Sequence, residues 1–104
     1  MDEIETKKRK LQLLYRQCII ILDYTIEYYR RCSKDDPFGV MMKENLMKRY
    51  EEIDKNDTKL LTKKISGYRM ALKDLQDDVR DYLKKEELAE LKQRILDELG
   101  PDAV

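Results

Sequence analysis

The chain has 104 residues, 42% of them charged, with 22 basic against 22 acidic side chains, no histidine and two cysteines. A chain of this length folds as one domain, residues 1–104, with a modest core. Zero net charge argues against a dedicated nucleic-acid binder, and the missing histidine removes the commonest metal ligand and the commonest general base. With only three glycines and two prolines, the balance is that of long exposed helices.

The first helix is expected over residues 2–34. Between Leu11 and Cys32 there is no Gly or Pro, and Ile4, Leu11, Cys18, Thr25 and Cys32 fall seven apart. Leu14, Ile21 and Tyr28 come three residues later, with Tyr15, Leu22 and Tyr29 beside them. Such a stripe is wide enough to be gripped by two neighbouring helices. Asp2, Glu3 and Glu5 suit the positive end of this helix, and Arg30, Arg31 and Lys34 the negative end. The longest apolar run, Cys18 to Leu22, is far short of the ~20 residues of a membrane span. The acidic start is unlike a signal or transit peptide. On a helix Cys18 and Cys32 lie ~21 Å apart, so they cannot pair with each other. Both are expected as reduced core residues of an intracellular, reducing compartment. Lys7-Lys8-Arg9-Lys10 reads either as a nuclear signal or anion patch, or as an ordinary solvated turn.

Pro37, with Asp36 as N-cap, opens a second helix over residues 37–53. Its expected apolar face is Phe38, Met42, Leu46, Tyr50 and Ile53, with Met41 and Met47 alongside. The methionines serve either as core or as an adaptable partner-binding surface. After a turn at Asp54–Asp57, in which Asn56 or Asp57 caps the next helix, a third helix spans 58–84. Its seam is Leu61, Ile65, Tyr68, Leu72, Leu75, Val79 and Tyr82. Gly67 interrupts it, which suggests a close helix approach at that point. The phase then breaks. Leu88, Leu91, Ile95 and Leu99 belong either to a fourth helix over 86–99 or to a stuttered continuation of the third. Gly100-Pro101 ends it, and Asp102 to Val104 are expected to fray. Net charge alternates along these segments: basic over 1–34 and 58–84, acidic over 35–57 and 85–104.

No phosphate loop, Glu-x-x-His pair or Cys-x-x-Cys stands in the sequence, so no catalytic residue, metal ligand or cofactor is expected. Asp77, Asp78 and Asp81 read as a solvated face paired with Arg80 and Lys84.

Leu14-Tyr15-Arg16 lies in the first helix. Arg49-Tyr50-Glu51 precedes the Asp54–Asp57 turn, and Ser66-Gly67-Tyr68-Arg69 precedes Leu72. Over residues 11–76 this pattern resembles the LYR-motif family of small mitochondrial adaptors and assembly factors. Tyr50 stands where that family usually has Phe, and the chain is neutral where the family is commonly basic. The resemblance implies binding to an acyl carrier protein, with Arg16, Arg49 and Arg69 meeting its acidic surface or its phosphopantetheine, and to a client complex of the iron–sulfur or respiratory machinery. Leu14, Tyr15 and Tyr50 belong to the same implied partner site. The acyl chain would thread among Leu14, Cys18, Ile21, Leu61, Ile65 and Tyr68.

The expected fold is all-α, an antiparallel three-helix bundle with a short C-terminal fourth helix. The expected function is a non-enzymatic helical adaptor or assembly factor, in which a partner completes an apolar seam that the shorter second helix leaves open. The location would be mitochondrial on the LYR resemblance, and otherwise cytoplasmic or nuclear. A tubulin-cofactor-A-like chaperone, or a structural coiled-coil subunit forming homo- or hetero-oligomers, is the alternative.

Overall fold

The computed structural model describes residues 2–101. Four α-helices make up the fold: α1 (Glu3–Arg31), α2 (Pro37–Glu51), α3 (Thr58–Tyr82) and α4 (Lys85–Leu99), with a 3-10 turn at Ile53–Lys55. The expected fraying of Asp102 to Val104 lies outside the described residues.

Each boundary has a local cause. The Asp2 carboxylate accepts from the Ile4 amide at 3.0 Å and opens α1. Asp36 caps α2 through the Gly39 amide at 3.0 Å, with Pro37 in the first turn where its missing N–H costs nothing. Glycine suits position 39, because a Cβ there would collide with the capping carboxylate and push it off the amide. Asp57, of the two candidate caps, closes the start of α3 by accepting from the Leu60 amide at 2.8 Å. At the end of α1, Ser33 takes a left-handed backbone (φ 59°), and the Lys34 amide reaches back to the Tyr29 carbonyl at 2.8 Å. That is a Schellman closure with serine where glycine is usual.

The phase break after Tyr82 is a true corner. Leu83 and Lys84 are extended, and the Glu87 carboxylate accepts from the Lys84 amide at 2.9 Å to start α4. The fourth helix therefore exists, and the stuttered continuation does not.

Consecutive helices run antiparallel, so α3 runs alongside α1 in the same direction. Lys7 meets Thr62, Tyr15 meets Tyr68, and Thr25 meets Tyr82 in order along the two helices. Helices α2, α3 and α4 all pack on α1. In its middle, Gln17, Cys18, Ile20, Ile21, Leu22, Tyr24, Thr25 and Ile26 are buried, leaving little of the helix circumference exposed. The sequence stripe implied two neighbours; the short apolar run Cys18–Leu22 is explained by a third.

Two hydrophobic clusters share α1. The first joins Leu11, Tyr15, Cys18 and Leu22 to Leu46, Ile53, Leu61 and Ile65. The second joins Ile20, Ile21 and Tyr24 to Val79, Leu83, Leu91 and Ile95. With both closed, the expected open seam on α1 is covered from within the chain. Exposed large apolar side chains remain on every helix, Met70 of α3 at 69% the most exposed, and α2 carries three of the seven among the described residues. Only Gly39 and Leu46 of that helix are buried, while Phe38, Met41 and Met47 are 65%, 51% and 46% exposed.

Three local expectations are corrected. Phe38 belongs to no core, because Gly39, seven residues before Leu46, takes the inward face of α2 and Phe38 stands about 100° round the helix from it. Cys32 is exposed as the C-cap of α1, whereas Cys18 is buried. Gly67 is exposed, with nothing within 4 Å of where a Cβ would stand, so it marks no close approach.

Candidate functional site

The Leu14-Tyr15-Arg16 triplet is divided by the helix it sits on. Leu14 is half-buried against the first cluster, Tyr15 is fully buried within it, and Arg16 turns outward. The Tyr15 ring meets Tyr68 edge-on with centroids 4.8 Å apart, and its hydroxyl is buried without a hydrogen-bond partner. Burial, with the neighbouring Tyr68 phenol next, pushes the Tyr15 hydroxyl up to about 12 against an opposing pull from Arg49. Burial likewise pushes the Cys18 thiol up to about 11, away from thiolate chemistry.

Arg49 caps this aromatic pair from outside. Its guanidinium lies 5.9 Å from the Tyr68 ring centroid and donates a hydrogen bond to the Tyr68 hydroxyl. Arg16 and Tyr50 line a groove of about 570 Å³ between α2 and α4, floored by Ile19 and Ile20 and flanked by Met47, Glu51 and Glu98. Arg69 is exposed on α3 and does not line this groove. Thus Arg16 and Tyr50 share one surface, Arg49 occupies another with Tyr68, and Leu14 and Tyr15 form core. Leu61 and Cys18, on the implied acyl path, are 0% and 1% exposed, so a lipid chain there must displace packed side chains.

Basic residues flagged by sequence are partly consumed within the fold. Lys7 pairs with Glu3 at 3.0 Å and donates to Thr62, and Lys8 pairs with Asp54 at 3.1 Å. Arg80 pairs with Asp77 at 3.1 Å rather than with Asp78 or Asp81.

Two constellations were not legible in the sequence. Asp23 on α1 pairs with Lys43 of α2 and, at 3.6 Å, with Arg94 of α4, which also reaches Glu27 and Glu98 at 3.6 Å. This cluster ties three helices together across the middle of the molecule. At the far end, Tyr29 and Tyr82 stack with centroids 6.0 Å apart and planes 19° from parallel, and Tyr28 lies 5.8 Å from Tyr82. Thr25 and Tyr82 share a hydrogen bond of 2.9 Å. A groove of about 350 Å³ opens beside them, lined by Tyr29, Tyr82, Phe38, Met42, Leu75, Asp36, Asp78 and Asp81 among others. The Tyr82 hydroxyl is raised above its ordinary value chiefly by burial, with Tyr29, Asp36 and Asp78 adding to the rise and Thr25 opposing it. The sequence put Tyr28, Tyr29 and Tyr82 on packing stripes of two helices but gave no sign that the three rings meet.

No family model, no curated protein and no solved structure matches the chain.

Proposed function

We propose that this chain is a non-enzymatic adaptor or assembly factor that works by binding other proteins, with α2 as the presenting helix. The observation that carries the reading is the composition of α2. It gives only Gly39 and Leu46 to the interior while holding Met41 and Met47 about half exposed. A helix with Phe38 and two flexible thioether side chains on its surface suits a partner that completes its burial.

The LYR resemblance adds a specific partner, an acyl carrier protein with its client complex. Arg16 is the triplet residue that supports this version, since it is exposed beside Tyr50 in the α2–α4 groove. Tyr15 then acts as the packing that fixes the turn from which Arg16 projects.

The test is chemical crosslinking and affinity capture from the native extract with three chains: wild type, Met41→Ser/Met47→Ser, and Arg16→Glu. All three keep the buried residues, so all should fold. A protein captured by wild type and depleted about tenfold or more by the methionine variant supports the adaptor reading, that factor corresponding to about 1.4 kcal/mol. Loss of an acyl carrier protein specifically with Arg16→Glu supports the LYR version. An identical capture profile for all three chains contradicts both.

A further inference from the structure

We infer that the groove between the N-terminal turn of α2 and the C-terminal half of α3 receives a lysine or arginine side chain of a protein partner. The inference rests on the protein-binding reading above and names the chemistry of one contact.

The groove has two kinds of wall. One is apolar and aromatic: the stacked Tyr29 and Tyr82, with Phe38, Met42 and Leu75. The other is anionic, with Asp36 at the cap of α2 and Asp78 and Asp81 one turn apart on α3. No lysine or arginine lines it, and among the described residues none of these three carboxylates has an ion-pair partner. The nearest base in sequence, Arg80, is turned to Asp77. Asp36 spends one oxygen, Oδ1, on the Gly39 amide and keeps Oδ2 free.

Three carboxylates and no basic side chain in the lining give the groove a negative wall, which favours a cationic occupant. Aromatic faces beside them favour the same occupant, because ring quadrupoles attract ammonium and guanidinium groups. The stem of Lys or Arg is apolar and fits the Met42–Leu75 side while its head reaches the carboxylates. Phe38 acquires a role here. A phenylalanine 65% exposed at the mouth of an anionic groove offers a ring to the entering stem. A neutral or acidic segment gains nothing from the carboxylates, so charge complementarity selects the occupant.

The probe is a set of short blocked alanine peptides carrying one central lysine, arginine or norleucine, titrated into the full chain. The readout is the NMR shift of the Phe38, Tyr29 and Tyr82 ring signals. The lysine or arginine peptide should shift these rings saturably, and the norleucine peptide should not. Asp78→Asn/Asp81→Asn should weaken the cationic peptide about tenfold or more, on the scale of a charge-assisted contact. Its thermal melt serves as the folding control, and Phe38→Ser, altering one exposed ring, is the second variant and should weaken binding less. Equal shifts from norleucine, no shift from any peptide, or undiminished binding by the aspartate variant each overturn the inference. The capture experiment leaves Phe38 and the aspartates untouched, so its outcome and this one are separable.

Discussion

The two ends of α1 solve the same burial problem differently. Around Tyr15 the core is sealed: Leu11, Tyr15 and Leu61 are fully buried, and the Tyr15 hydroxyl is enclosed with nothing to bond. Around Tyr24 and Tyr82 the phenols find partners and a groove opens beside Tyr82: the buried Tyr24 hydroxyl donates to Glu90 at 3.3 Å, and the half-buried Tyr82 shares its hydrogen bond with Thr25. Tyr24 is as buried as Tyr15 and still keeps a partner, so the two differ in whether a polar side chain stands within reach of the phenol, not in depth. The sealed end is built for holding the helices together. The open end is where aromatic rings and unpaired carboxylates remain available.

The largest expected effect breaks the sealed end. Leu61→Ala should cost about 2–5 kcal/mol in urea unfolding, because a fully buried leucine leaves a cavity its neighbours cannot fill. A sharper comparison uses one substitution at both ends. Tyr15→Phe removes an unsatisfied hydroxyl and should stabilise by about 1 kcal/mol, whereas Tyr82→Phe removes a satisfied one and should destabilise by a similar amount. Equal signs would contradict the distinction.

Alkaline titration sharpens it further. The folded Tyr15 value, about 12, lies above its ordinary 10.0, so the unfolded chain releases this proton first. The stability held by protonated Tyr15 is intact below the ordinary value and is lost as pH rises from 10 toward 12. Unfolding midpoints measured across that window should fall less steeply for Tyr15→Phe than for wild type. The smallest effect concerns neither end: Gly67→Ala, at an exposed helical position with open space, should raise stability by about 0.5–1 kcal/mol.

The helices were legible in the sequence because their signals are local. Asp36-Pro37, Asp57 and Gly100-Pro101 mark boundaries that the structure keeps, and the Leu61–Tyr82 seam runs along one face of α3. The heptad makes Leu14 core, Tyr15 flank and Arg16 an outward charge; the structure keeps Arg16 outward but exchanges the other two, with Tyr15 fully buried and Leu14 half-buried against its cluster. What the sequence did not disclose depends on tertiary placement. Burial of α1 on several sides needed the corner at Leu83-Lys84, which no Gly or Pro announces. The groove at Asp36, Phe38, Tyr29, Asp78 and Tyr82 draws on three helices separated by many residues. Phe38 looked like core because apolar spacing passes over glycine, and in that turn it is Gly39 that faces inward. Gly67 looked like a contact because a glycine inside a helix usually has a packing reason.

Native-state amide hydrogen exchange is the decisive measurement. It separates a helix packed on three sides from one held along a single face by Gly39, Met42, Leu46 and Tyr50. The slowest exchange is expected in α1 from Tyr15 to Ile26, and distinctly faster exchange throughout α2 from Val40 to Glu51. Protection in α2 equal to that in the middle of α1 would contradict both the central position of α1 and the assignment of α2 as the presenting helix.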